Sequence, residues 1–146
     1  MEQNGDRVEL RDDPLDIAAA IEFASDPKGG AVAVFLGTTR AEIDSRGREL
    51  VALDYEAYRE MAEAQMRRLA DEARKSWKIL RLALLHRVGR VNVKEPSVLV
   101  AVSTPHRADA FAACKFLIDQ LKAEATIWKK EVWADGSSTW VDGHGG

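Results

Sequence analysis

Three groups of residues have the types and spacing to do chemistry. Ser103-Thr104-Pro105-His106-Arg107 stands between an apolar run and a helical pattern. A helix N-terminus at that point offers unpaired backbone N–H groups and the positive end of a dipole, which together attract anions. An imidazole and a guanidinium beside it would complete a phosphate or carboxylate site. The same spacing also fits a plainer reading, with His106 at the cap and Arg107 solvated. Lys122 closes that helical pattern, and Lys129 and Lys130 follow after a short connection. A chain reversal would bring Lys122 and Lys129 together. Neighbouring ammonium groups depress each other's pKa, and a lysine tuned in this way can act as acid, base or nucleophile near neutral pH. Lysines at a helix C-terminus can equally do no more than complement the dipole. Arg40, just past an apolar strand and Gly37, is the third signal; strand ends often carry ligand-facing residues.

Other polar residues read as structural. His86-Arg87 ends a strand, and Cys114 shares an apolar helix face with Phe111 and Ile118, as a small core residue would. Trp128, Trp133 and Trp140 read as strand aromatics. A single cysteine cannot form an internal disulfide, and three histidines without ligand-type spacing give no metal motif. No resident metal or cofactor is expected.

These residues depend on elements that hydrophobic periodicity makes visible. Residues 1–13 read as a polar lead-in with a short edge strand around Arg7–Leu10, and Asp13-Pro14 as the opening of a short helix. Asp26-Pro27-Lys28-Gly29-Gly30 breaks the chain. Ala31–Leu36 then reads as a buried strand, Thr38–Glu49 as a mobile loop and Leu50–Ala57 as another strand. A helix is predicted from Glu60 to Trp77 on the stripe Ala62, Met66, Leu69, Ala73 and Trp77. Strands follow at Ile79–His86 and Ser97–Ser103, separated by a turn region over Gly89–Pro96. A second helix covers about Ala108 to Ala123, with Phe111, Cys114, Ile118 and Leu121 on one face. Ile127–Trp133 and Ser138–Val141 close the chain as a hairpin around Ala134-Asp135-Gly136. No repeat, low-complexity tract or linker interrupts this, so one domain is expected over 14–142, with a flexible tail at 143–146.

The 146 residues are enough to bury a core, and 46% hydrophobic with 31% charged residues is ordinary globular composition. A net charge of -3 gives no global basic field for nucleic acid, so any anion site must be a local gathering of Lys and Arg. The start MEQNGDRVELRDD is too polar for a signal peptide, and no apolar run approaches membrane-spanning length. A cytoplasmic, soluble protein without a membrane partner is expected.

Taken in order, several blocks resemble the large, catalytic subunit of molybdopterin synthases. They are GAVAVFLGTTR (Gly30–Arg40), LDYEAYREMAE (Leu53–Glu63), DEARKSW (Asp71–Trp77), HRVGRV (His86–Val91), VAVSTPHRADAF (Val100–Phe111), IDQLKAEATIWKKE (Ile118–Glu131) and TWV (Thr139–Val141). PHRADAF followed by LK and then IWKKE is the most specific part. The resemblance implies an α+β, α/β-hammerhead-like fold with a small additional antiparallel β subdomain. It also implies a homodimer with a small ubiquitin-like sulfur-carrier subunit at each end, heterotetrameric overall. That partner's Gly-Gly thiocarboxylate tail would thread into a pocket of this chain and deliver sulfur to cyclic pyranopterin monophosphate.

Carried over residue by residue, the resemblance makes Lys122 the principal catalytic lysine and Lys129 the second. Phe35, Arg40, His106 and Arg107 fall on positions that line the substrate pocket. Four positions depart from the pattern: the loop AEIDSRGRE after Arg40, Ile118 where a methionine can stand, Thr126 in place of a proline, and Glu124 near the lysines. The chain ends His144-Gly145-Gly146, a chance echo of the partner's tail. Two other functions use the same residues: a partner-independent phosphate- or nucleotide-handling enzyme, and a non-catalytic assembly module of the same fold.

Overall fold

Unbroken apolar runs at 82–85 and 98–102 require strands covered on both faces. The computed structural model, which describes residues 2, 3 and 5–141, shows how this is met. The described elements run β1 (Glu2–Gln3), β2 (Asp6–Arg11), α1 (Ile17–Ala24), β3 (Ala31–Thr38), β4 (Leu50–Ala57), α2 (Arg59–Ser76), β5 (Arg81–Arg87), β6 (Gly89–Asn92), β7 (Pro96–Thr104), α3 (Arg107–Glu124), β8 (Ile127–Trp133) and β9 (Ser138–Trp140). A larger sheet has the order β1-β2-β5-β7-β3, and a smaller one the order β6-β4-β8-β9. Among the described strand pairs β2–β5 alone is parallel. The architecture is α+β.

Alternation along β5 and β7 divides the core. Leu82, Leu84, Val98, Val100 and Val102 face α2 and α3 and pack with Met66, Leu69, Leu117 and Leu121. Ala83, Leu85, Leu99 and Ala101 face the other way and pack on Ala20 and Ala24 of α1. β3 is at the edge of this sheet. Its Ala33 joins the α3 side, while Val32, Val34 and Leu36 stay exposed on the face that α1 leaves open. Ala31–Leu36 is therefore buried on one face only, and its apolar run is not explained by this chain's own core.

Several local expectations shift. The polar segment before residue 14 contributes β1 and β2 to the larger sheet, and β2 is flanked on both sides. Helix α1 begins after Asp16, whose carboxylate accepts from the Ala19 N–H at 3.0 Å, and not at Asp13-Pro14. The turn region at Gly89–Pro96 contains β6, because Gly89–Asn92 pairs with β4. Phe111 is 66% exposed, away from the face that buries Cys114, Ile118 and Leu121. The C-terminal Gly-Gly lies outside the described residues.

One polar contact ties the sheet to α2. Arg74 donates from Nε to Asp6 Oδ1 at 2.8 Å and from its two Nη atoms to the carbonyls of Ile79 and Leu80 at 3.0 and 3.1 Å. Asp6 is 1% exposed, so its charge depends on this guanidinium. Gly5, at φ +80°, lets the chain pass the arginine, since a Cβ there would lie 3.2 Å from Arg74 Nη2 and Leu80 O.

Candidate active site

Helix α3 ends at Glu124, and Ala125 N–H bonds back to Leu121 O at 3.0 Å. The chain then reverses into β8. Thr126 stabilises the reversal by donating from its backbone N–H and its hydroxyl to Gln65 Oε1, at 2.7 and 3.0 Å. A proline here would have no N–H to give, so the threonine substitutes one anchor for another. The reversal sets Lys122, on the last turn of α3, and Lys129, on β8, on the wall of one cavity of about 670 Å³. Arg40 joins them from the segment after β3. Ile118, Trp128, Tyr55, His86 and Ser97 complete much of the rest, with Glu42 and Glu131 as the acidic members. Glu124, an acid that sequence proximity places near the lysines, does not line it.

The electrostatics of this wall are cationic but tempered. Burial holds the Lys129 ammonium below its ordinary pKa, and Lys122 and Arg40 push it the same way, while Glu131 and Glu42 oppose them. Burial also dominates at His86, which is brought down to about 4 with help from Lys122 and Lys129. His86 meets Tyr55 edge to face at 5.0 Å and 71°. Tyr55 donates to Ser97 Oγ at 3.4 Å, and Ser97 donates to Gly37 O at 3.3 Å, forming a polar floor. Gly37 itself leaves room for packing, since a Cβ would come within 2.5 Å of Val98 Cγ1.

The segment after Arg40, which composition alone marks as mobile, is tied down. Asp44 accepts from the N–H groups of Arg46 and Arg48 at 3.0 and 2.7 Å and from Arg48 Nε at 2.8 Å. Arg48 also donates to Ser137 Oγ at 3.0 Å and lies over the Trp133 ring at 4.6 Å. One arginine thus pins the loop that carries Arg40 and Glu42 onto the β8–β9 hairpin. Arg48→Ala is expected to destabilise the chain by only about 1 kcal/mol, the scale of a half-buried surface ion pair and one cation–π contact. Limited proteolysis should nevertheless cut within 40–49 several-fold faster; an unchanged cleavage rate would show that the loop is held by other means.

His106 and Arg107 sit elsewhere in the chain. Both are exposed at the start of α3 and line a second pocket of about 540 Å³ with Gly30, Pro105, Ala108 and Phe111. His106 is the N-cap residue of α3 but makes no side-chain cap hydrogen bond. Gly30 is required there, because a Cβ would fall 2.3 Å from Pro105 O. Phe35 lines neither pocket; it is half-buried against the α3-side core near Gly37. Burial raises the Cys114 thiol to about 11, which keeps it protonated and unreactive near neutral pH. Tyr55, His86, Ser97, Glu42 and Glu131 are cavity residues that no spacing in the sequence indicates. Among the described residues no cluster of His, Cys, Asp and Glu could hold a metal ion, and no helix is long and apolar enough to cross a membrane.

The cavity lined by Lys122, Lys129 and Arg40 lies where the α+β core meets a small antiparallel sheet, and its wall has the charge to attract an anion. The chain belongs to the MoaE protein family, whose model matches residues 10–124. A relative from Nostoc sp., a molybdopterin synthase catalytic subunit, is 46% identical over 129 residues, covering 88% of this chain and 77% of the relative. The crystal structure of molybdopterin synthase from Staphylococcus aureus superposes with a TM-score of 0.85 at 36% identity, covering 92% of this chain and 96% of that one. A chain in the complex of subunits 1 and 2 of molybdopterin-converting factor from Helicobacter pylori shares the fold, with a TM-score of 0.76 at 20% identity over 94% of this chain and 90% of that one.

Proposed function

We propose that the chain is the catalytic subunit of a molybdopterin synthase, transferring sulfur from the thiocarboxylated Gly-Gly tail of a small ubiquitin-like carrier to cyclic pyranopterin monophosphate. The observation that carries this reading is the convergence of Arg40, Lys122 and Lys129 on one cavity, with the Lys129 ammonium lowered, in a chain of this family. The substrate brings a phosphate and the carrier a carboxylate-like terminus, so a mildly acidic chain must concentrate positive charge locally. Each thiocarboxylate sulfur attacks a substrate carbon and displaces an oxygen function, which takes up a proton as its bond breaks. Water then hydrolyses the acyl–sulfur bond, leaving sulfur on the pterin and a carboxylate on the carrier. The Lys129 ammonium, its pKa lowered, gives up a proton readily. Lys122 is the main acid–base or transient covalent group in this reading, and Lys129 holds the tail and shares the proton traffic.

His106 and Arg107 remain candidates for the substrate phosphate. In one chain they line a different pocket, so both sets serve one substrate only when a second copy supplies one of them. The exposed apolar face of Val32, Val34 and Leu36, with Phe111 lining the His106 pocket, fits such a homodimer. A four-chain assembly of two such subunits and two carriers, in the cytoplasm, completes this reading. Phe35 stays a candidate through packing behind the wall. A partner-independent phosphate enzyme is not favoured, because the family is one of molybdopterin synthase subunits.

The test is reconstitution. The purified chain, cyclic pyranopterin monophosphate and a thiocarboxylated carrier are expected to yield the dithiolene product, and the chain with a carboxylate-terminated carrier none. Failure of the complete mixture, with carrier binding demonstrated, would leave the fold assignment standing and remove the function.

A further inference from the structure

Arg40, Lys122 and Lys129 can only donate hydrogen bonds. His86, on the same wall, offers the opposite. Its Nδ1 lies 2.8 Å from the backbone carbonyl of Arg87, and a carbonyl only accepts, so Nδ1 carries the proton. Burial, then Lys122 and Lys129, keep a second proton off the ring, with its pKa at about 4. Nε2 is therefore bare at neutral pH. It makes no hydrogen bond to a described residue, yet it is not among the buried polar atoms sealed off without a partner. The His86 side chain lines the cavity, and with Nδ1 held by Arg87 O the remaining nitrogen is the one left for a ligand. The ring packs edge-on against Tyr55, which is itself tied to Ser97 and through it to Gly37. The residue is 7% exposed, so little water competes for that lone pair, and a buried acceptor is costly until a donor reaches it.

We propose that His86 is a substrate-binding residue of this cavity, its Nε2 accepting a hydrogen bond from a ring N–H or hydroxyl of the bound heterocycle while the cationic residues take its anionic group. The identity of that heterocycle rests on the sulfur-transfer reading; the contact itself rests on the geometry. A pocket of donors alone would hold any phosphate of the right size. An acceptor at its floor selects a ligand that also has a neutral donor at the right distance, and rejects those that lack one.

Equilibrium binding to the full-length chain tests this, with cyclic pyranopterin monophosphate and, separately, inorganic phosphate as probes. His86→Phe keeps an aromatic ring against Tyr55 and removes the acceptor. It is expected to weaken pterin binding about tenfold, as when a buried hydrogen bond is left unmade, without moving the phosphate affinity. His86→Gln, whose side-chain carbonyl can accept, is expected to recover most of the loss. Equal pterin affinity in wild type and His86→Phe, or an equal loss for both probes, would overturn the proposal. Should the phenylalanine variant not fold, nitrogen NMR of wild-type His86 decides: the Nε2 resonance must shift from its bare-acceptor position when the pterin is added, and a stationary signal overturns the contact. A chain that binds the pterin through His86 yet fails to transfer sulfur refutes the reaction alone.

Discussion

Lys122→Ala is expected to lower the rate of sulfur transfer by about 10²- to 10⁴-fold, the usual contribution of a positioned acid or base, with carrier binding retained. The lysine stands on an exposed final turn of α3, so the substitution should fold normally. Its effect is not confined to its own proton. Lys122 is one of the cations that lower the Lys129 pKa, after burial. Removing it raises the Lys129 pKa, so any limb of the residual pH profile governed by Lys129 moves to higher pH. Lys122→Arg separates the two effects, because a guanidinium keeps the positive charge and cannot deprotonate in the working range. It should leave the Lys129 limb in place and still lose the rate. Single-turnover assays across pH, with saturating carrier, read both quantities. Transfer by Lys122→Ala within tenfold of wild type would show that Lys122 only lines the cavity.

The largest stability effect is expected at Arg74, far from the chemistry. Arg74→Ala leaves Asp6 as a buried, unpaired carboxylate and strands the carbonyls of Ile79 and Leu80. Breaking a buried pair from one side typically costs about 3–5 kcal/mol. For a chain of this size that corresponds to a melting temperature lower by about 10–15 °C. Removing both charges together, as Asp6→Asn with Arg74→Met, should be much milder, because no unpaired charge remains buried. Thermal and urea unfolding of the two single variants and the pair measure this. Equal losses for the double variant and the sum of the singles would mean that the two residues stabilise the fold independently.

Part of the site was legible without the fold. Lys122 and Lys129 stood out because a helix end, a short connection and a strand are local features, and a reversal between them predicts proximity. Arg40 stood out for a similar reason, at a strand end after Gly37. His86 did not: at the end of a strand its histidine is indistinguishable from a packed one until Tyr55, from a strand 31 positions earlier, lies against it. The acids that temper the lysines were misplaced for the same reason. Glu124 is adjacent in sequence but stays off the cavity wall, whereas Glu42 and Glu131 arrive from the pinned loop and from β8. That loop looked mobile because polar residues and a glycine dominate it. Its order comes from Arg48 reaching the hairpin some ninety residues on, a contact to which no local pattern points.

Periodicity was enough to find the two long helices and most of the strands, and the motif blocks gave the family and with it the α+β class, because both are properties of short stretches of chain. The sequence also determined that any anion site had to be local, since the net charge is -3. Which charges share a cavity, the separation of His106 and Arg107 from the lysines within one chain, and the uncovered face of β3 all came from long-range packing. Those outcomes depend on which strand ends converge and which sheet face a helix shields, and burial and Coulomb interaction act through space between residues that the chain order keeps far apart.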